Sequence, residues 1–405
     1  MPLNDAKINE LLERWIQDVV PSKEEFFKKL KREKLTIYHG VDPTSPDIHL
    51  GHSTNYLLMR VFHQMGHRIV LLIGDFTAMI GDPSGRTTER VPLTEKEVKT
   101  NYKTYENQVG KILNFNSKEN PIEVRHNSEW LKKLTFKDVV EIAGHFTVQQ
   151  MISRDMFQKR LREGNPIGLH EFLYPLMQGY DSVALNTDAE IGGNDQLFNM
   201  MAGRDLVKDY KKKEKFIVTT KLLINPKTSK KLMSKSEGGY IAFNDSAFQM
   251  YGKTMALPDE VVANCFQLCT ELDAKKIEET EKLSEKERKE ALAREIVRIY
   301  YGEEEAKKAE YEFNKTFKEK RMPDQIEEFK SGEKFINITN LLIQAGIRSS
   351  KGEVRRLIEQ GGVHINTKSE DLWERIDDPE KQLEACLGAV IRVGKRRFVR
   401  LSYKP

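Results

Sequence analysis

The sequence predicts an α/β protein: a doubly wound parallel sheet, followed by a helical stretch and a small α+β tail. Three observations carry this. Leu35-Thr36-Ile37-Tyr38 reads as a short strand, and the amphipathic run Tyr56–Phe62 reads as the helix that follows it across a Gly/Pro-rich loop. Arg68 to Gly74 encloses a continuous apolar run, the pattern of a strand buried on both faces of a parallel sheet, so a βαβ unit closes within about 40 residues. Beyond residue 240 the pattern changes to charged helices, then to short helices and strands around a Gly361-Gly362 turn.

At 405 residues the chain is too long for one ordinary core, and two or three domains are expected. A net charge of +4 excludes the bulk positive charge of a histone-like protein, so nucleic-acid contact would have to come from local patches. Cys265, Cys269 and Cys386 cannot form a disulfide framework and read as thiols in a reducing compartment. Cys265 and Cys269, at i and i+4, suit packing better than metal binding, and no metal ligands are expected. No uncharged apolar run approaches the roughly 18 residues of a membrane span, so a cytoplasmic protein without a membrane partner is expected.

In chain order, residues 1–34 read as helix broken at Pro21-Ser22. The loop Gly40-Val41-Asp42-Pro43-Thr44-Ser45-Pro46 then runs off the carboxyl end of the first strand, where open α/β sheets bind phosphate at a helix N-terminus. His49 and His52, at i and i+3, put two imidazoles on one face. Gly51 between them lets a ligand approach the backbone. The apolar strand ends in Gly81-Asp82-Pro83-Ser84-Gly85-Arg86, a turn by its composition. Residues 92–170 read as mostly helical, with a polar loop at 114–120 and a strand at Ile122-Glu123-Val124; Trp130, Phe136, Phe146 and Phe157 read as core.

Tyr174, Gln178 and Asp181, at i, i+4 and i+7, form a polar stripe on one helix face, either solvated or lining a polar pocket. Val183-Ala184-Leu185 reads as a third parallel strand, leading to Ile191-Gly192-Gly193-Asn194-Asp195-Gln196, and Phe216–Thr220 as a further strand. After the basic run 227–231, Asn244-Asp245-Ser246 caps a helical region that extends to about residue 329, and 330–334 reads as a linker. In the tail, Gly346 ends a short helix, and Lys351, Arg355 and Arg356 make a basic stripe on the next.

Several of these strings resemble a known family. His49-Leu50-Gly51-His52 resembles the HIGH signature of class I aminoacyl-tRNA synthetases, and Leu232-Met233-Ser234-Lys235-Ser236 resembles their KMSKS loop. Tyr38 through His52 is similar to the tyrosyl-tRNA synthetase version. The tail from Phe335 to Asn366 resembles the S4 RNA-binding module, with 395–400 as its closing strand. The departures are Asn194 for a serine and Leu232 for the first lysine of KMSKS.

The resemblance implies a Rossmann-like catalytic domain over 1–240, with an inserted connecting and dimer segment at about 100–185. A helical anticodon-arm domain over 241–329 and an S4-like domain over 335–405 would follow. It implies that Tyr38 and Asp181 bond the phenolic hydroxyl of tyrosine, that Asp82, Tyr174 and Gln178 hold its amino group, and that Gln196 meets its carboxylate. ATP would lie on Gly40, Asp42, His49, Gly51, His52, Gly193, Asp195, Met233 and Lys235. Thr44, His49, His52, Arg86, Arg90 and Lys235 would act on the phosphates, with Mg²⁺ brought by ATP. Lys351, Arg355 and Arg356 would touch tRNA(Tyr), and a homodimer is expected. Two alternatives stand beside this: the tryptophan enzyme of the same subclass, against which Tyr38 and Asp181 argue, and a non-catalytic RNA-binding relative. Against the latter stand the intact His49, His52, Asp82, Asp195 and Lys235.

Overall fold

A computed structural model describes the chain except for residues 1–4, 85–91, 234–239, 319–325, 349, 368–372, 386–387, 395–396 and 405. Two compact units divide it, residues 1–306 and 307–405. Among the described residues no helix is long and apolar enough to cross a membrane.

The first unit is built on a six-stranded sheet. In chain order its strands are β1 (Ile16–Val20), β2 (Thr36–Val41), β3 (Arg68–Ile73), β4 (Glu123–His126), β5 (Ala189–Gly193) and β6 (Phe216–Thr220). Their spatial order is β1-β6-β5-β2-β3-β4; every pairing is parallel except that of β1 with β6. From β2 the chain winds outward through β3 and β4, then returns to the other side of β2 for β5 and β6. The strand order therefore reverses between β2 and β5, and a crevice opens beyond their carboxyl ends. Ile69 to Ile73 of β3 are all buried, which is why that segment had to be a near-continuous apolar run.

Several expectations are corrected. Residues 16–20 are not helix: β-branched Ile16, Val19 and Val20 pair with β6 in the registers Ile16↔Thr220, Val19↔Val218 and Val20↔Ile217. Here tertiary pairing overrides a helical periodicity that continues from the helix Asp5–Trp15. Val183 and Ala184 belong to the helix Leu169–Ala184, and the strand after it is β5. Among the four aromatics read as core, Phe157 is fully buried, and Phe146 is partly buried against the cluster around Leu176 and Leu206. Phe136, however, is 84% exposed, and half-buried Trp130 points its indole N–H at a carboxylate. In the helical region after 245, Ser246 caps its helix as expected, accepting from Gln249 N. The charge run is ion-paired, Lys286 with Glu290 and Lys289 with Asp259.

The second unit holds a five-stranded sheet. Its members are β7 (Glu327–Ser331), β9 (Val363–Asn366), β10 (Glu374–Arg375), β12 (Val390–Val393) and β13 (Arg397–Tyr403), in the order β10-β9-β12-β13-β7. A two-stranded sheet pairs β8 (Phe335–Asn337) with β11 (Gln382–Glu384). The 330–334 linker is corrected: Lys330 and Ser331 lie in β7, in register with Ser402 and Tyr403. Aliphatic residues of the helices Ile338–Gln344 and Lys351–Glu359 fill one core with those strands. Gly346, at φ 66°, ends the first of these helices in the left-handed region that glycine tolerates.

Candidate active site

The loop after β2 is held from both sides. Asn101, Tyr105 and Gln108, at i, i+4 and i+7, donate to the backbone carbonyls of Pro43 (2.9 Å), Ser45 (2.6 Å) and Pro46 (2.9 Å). Buried Gln108 also accepts from Ile48 N at 2.8 Å. On the far side Leu50 N donates to Ile241 O, and Phe243 N to Ile48 O. A loop fixed by backbone bonds keeps its shape without a ligand, which is what a preorganised anion site requires.

His49 and His52 stack at the start of the helix Ser53–Gln64, with ring centroids 3.9 Å apart. Burial pushes His49 down to about 4 and His52 well below its ordinary value, the latter further depressed by His49. Both rings are therefore neutral at pH 7 and offer one N–H each. The His52 Nδ1 accepts from His49 N at 3.4 Å, which leaves the proton of the neutral ring on Nε2.

A pocket of about 300 Å³ opens at the strand-order reversal. Tyr38, Gly40, Asp42, Thr44, His49, Gly51, His52, Asp82, Tyr174, Gln178, Asp181, Gly193, Asp195 and Gln196 all line it. The helix Leu169–Ala184 supplies Tyr174, Gln178 and Asp181 from one face, so the polar stripe lines a pocket and is not solvated. Asp181, at 2% exposure, accepts from Trp130 Nε1 at 2.7 Å and Asn127 Nδ2 at 3.2 Å. Burial pushes its carboxyl well up, and those two N–H groups oppose the rise. Tyr38 Oη shares a 2.8 Å hydrogen bond with Ser182 Oγ, and burial raises its phenol well above the usual range. Tyr174 Oη donates to Asp42 at 2.8 Å, and Thr77 donates to the other oxygen of that carboxylate at 2.7 Å. Asp82 accepts from Gln196 Nε2 at 2.8 Å and from Ser84 N at 2.9 Å.

One expected position differs. Met233 is buried at φ 67° and is not in the pocket wall; Leu232 before it is. Arg86, Arg90 and Lys235 lie outside the described residues. Other lining residues were not among the expected site positions. Lys231 reaches the pocket with Nζ 2.7 Å from Asp195 Oδ2, supplying a cation beside the Leu232 departure. Glu190 lines the pocket from β5 and is ion-paired with fully buried Lys215. A glutamate and a lysine at the margins of apolar strands look solvated in sequence, and only the chain fold turns both inward. In the second unit Arg355 pairs with Glu380 at 3.0 Å on the exposed face of its helix, which also carries exposed Lys351 and Arg356.

Comparison with known proteins bears on this geometry. A family profile described as "tRNA synthetases class I (W and Y)" matches residues 30–318, and one for the "Tyrosine--tRNA ligase SYY-like C-terminal domain" matches 312–401. The chain is 46% identical to a tyrosine–tRNA ligase of Thermotoga maritima, covering 97% of this chain and 96% of that protein. It is 40% identical to the one of Moorella thermoacetica, over 98% and 96%. Among solved structures, a C-terminally truncated mitochondrial tyrosyl-tRNA synthetase of Aspergillus nidulans superposes with a TM-score of 0.66 at 24% identity. It covers 78% of this chain and 95% of that one, a likeness of fold. The family profile spans both tryptophan and tyrosine enzymes, but the full-length relatives are tyrosine–tRNA ligases: the chain belongs to the tyrosine–tRNA ligase family of class I aminoacyl-tRNA synthetases.

Proposed function

We propose that the chain activates L-tyrosine with ATP, forming tyrosyl-adenylate and pyrophosphate, and passes the tyrosyl group to the 3′ end of tRNA(Tyr). The observation that carries this is one pocket holding both Tyr38 with Asp181 and the stacked His49–His52 pair. The substrate hydroxyl lies between Tyr38 and Asp181. Phenylalanine would strand those buried groups without a partner, which is how the pocket selects. Tyr174 Oη has spent its proton on Asp42, and Gln178 Oε1 is buried without a hydrogen-bond partner among the described residues, so both face the substrate ammonium as acceptors beside Asp82. Gln196 meets the carboxylate that attacks the α-phosphate. The ribose hydroxyls fall to Asp195.

No protein nucleophile is needed. The step is an in-line displacement at phosphorus, governed by orientation and by N–H groups placed where charge develops. Neutral His49 and His52 donate without adding net charge, with Thr44 as a hydroxyl donor, and Arg86, Arg90, Lys235 and Lys231 bring the cations. Asp42 and Asp195 already bond protein partners, which supports Mg²⁺ being carried on the phosphate oxygens of ATP. Lys351, Arg355 and Arg356 contact tRNA through phosphates. The protein works in the cytoplasm as a homodimer: exposed Phe136, Val140 and Leu169 stand close in sequence to Val139, Ile142, His170 and Leu173, which line an apolar cleft of about 250 Å³, a surface suited to a second copy.

The test is pyrophosphate exchange with ATP in the presence of tyrosine, phenylalanine or tryptophan, without tRNA. Exchange with tyrosine alone is expected. Exchange with tryptophan would overturn the pocket assignment, and no exchange with any would leave an RNA-binding relative.

A further inference from the structure

Behind the amino-acid pocket lies an ion pair that nothing in the adenylation chemistry requires. Lys215, the residue before β6, and Glu190 in β5 are 0% and 2% exposed, and the Lys215 ammonium is bonded to Glu190 Oε2. The same ammonium donates to the carbonyl of Met200 at 3.2 Å. Room is made for it by glycine: a Cβ on Gly203 would stand 2.6 Å from Lys215 Nζ and 2.7 Å from Ser182 Oγ. Gly179 across from it would likewise meet Ala202 and Gly203 at 3.1 Å. Two helices, Leu169–Ala184 and Leu197–Lys211, thus pack glycine to glycine over the pair. Burying two charges costs about as much as their attraction returns, so stability alone does not account for the arrangement.

The other carboxylate oxygen does something specific. Glu190 Oε1 accepts from Gln178 Nε2 at 3.1 Å. An amide side chain can be turned over, exchanging oxygen for NH₂, and the carboxylate forbids one of the two orientations. With NH₂ held against Glu190, Gln178 must present Oε1, the buried atom that has no hydrogen-bond partner among the described residues. A substrate ammonium needs acceptors there; an inverted amide would offer it NH₂.

We propose that Lys215 and Glu190 form a positioning pair that fixes the Gln178 amide as an acceptor for the α-ammonium group of the amino-acid substrate. This rests on the assignment of the Tyr174–Gln178–Asp181 face to that substrate. Lys215 holds the Glu190 carboxylate in place, Glu190 sets the sense of Gln178, and neither touches the reacting atoms. Ser182 Oγ, 3.5 Å from Glu190 Oε2 and 2.8 Å from Tyr38 Oη, ties the same carboxylate to the wall that carries Tyr38.

The experiment compares wild type, Glu190→Gln and the apolar double variant Lys215→Met/Glu190→Leu in tyrosine-dependent pyrophosphate exchange. Equilibrium binding of tyrosine and of 3-(4-hydroxyphenyl)propionate, which lacks the amino group, is measured alongside. In Glu190→Gln, Lys215 holds the new amide oxygen, its NH₂ faces Gln178, and Gln178 inverts. We expect the KM for tyrosine to rise about tenfold with the KM for ATP within about twofold, the scale of one buried hydrogen bond lost to an unfavourable contact. Binding of the propionate is expected to change less than threefold. The apolar double variant should keep a wild-type melting temperature and still lose about fivefold in tyrosine KM, so the test survives if the single variant fails to fold. A wild-type tyrosine KM in either folded variant overturns the proposal. Equal losses for tyrosine, propionate and ATP do so too, since they mark a general collapse of the pocket. Failure of the wild type itself to exchange with tyrosine overturns the pocket assignment along with it.

Discussion

At the scale of single residues, the pocket is a set of acceptors whose orientation the protein has settled beforehand. Asp181 is the plainest case: Trp130 and Asn127 each occupy one oxygen, and Asn127 also donates to Thr77, which donates to Asp42, which accepts from Tyr174. The chain of bonds links the groups assigned to the phenol with those assigned to the ammonium. Tyr38→Phe removes one partner of the substrate hydroxyl and the 2.8 Å hydrogen bond to Ser182 Oγ. The expected loss in kcat/KM for tyrosine is about 0.5–1.5 kcal/mol, or two- to tenfold, with phenylalanine unaffected. Steady-state exchange with both amino acids checks this, and an equal fall for phenylalanine would remove Tyr38 from hydroxyl recognition.

The histidines make a second residue-scale prediction. An unfolded chain titrates histidine near 6.5, whereas folded His49 titrates at about 4, and His52 and His39 are also lowered by burial. Between those values the unfolded state binds more protons, so stability is present above pH 6.5 and lost as the pH falls toward 4. Each histidine kept neutral contributes a slope of at most about 1.4 kcal/mol per pH unit. Urea midpoints at pH 7.5, 6 and 5 should fall in that order, and His49→Asn should shallow the trend. An unchanged slope in that variant would mean His49 is protonated in the fold.

At the scale of elements, helix starts carry much of the organisation. The loop after β2 is fixed by two short helices, Glu95–Tyr102 and Tyr105–Val109, whose Asn101, Tyr105 and Gln108 bind its backbone carbonyls. In the second unit, the helix Lys351–Glu359 buries Val354 and Ile358 and leaves its basic face outside. Changing Lys351, Arg355 and Arg356 together to alanine should raise the KM for tRNA(Tyr) in aminoacylation about tenfold and leave pyrophosphate exchange untouched. The log–log salt dependence of tRNA binding should flatten by about 2 if three phosphate contacts go. Unchanged tRNA binding would move the RNA surface elsewhere.

At the scale of the whole molecule, the question is what covers the apolar surface around Phe136. That phenyl is 84% exposed and Leu169 79%, and they lie two residues and one residue in sequence from Leu134 and His170, which line the apolar cleft. Phe136→Asp is expected to convert a dimer to a monomer in sedimentation velocity at micromolar concentration, since a desolvated carboxylate in an apolar interface costs several kcal/mol. A wild-type protein that sediments as a monomer would overturn the dimer.

The sequence by itself determined the parallel sheet, the Gly/Pro loop after β2, the i, i+4, i+7 face of Tyr174, Gln178 and Asp181, and the tail's two helices. In each of these the signal is local: an apolar run, a Gly/Pro loop after a strand, or a helical period. Tertiary structure decided what has no local period. It made residues 16–20 a strand through pairing with β6, and Lys330-Ser331 part of β7, because an edge partner outweighs weak local propensity. It turned Glu190 and Lys215 inward, put Lys231 against Asp195, and aimed Trp130 at Asp181. A charged side chain in a sequence carries no mark of which partner will neutralise it. That is fixed only when distant strands and helices bring the two charges to one place.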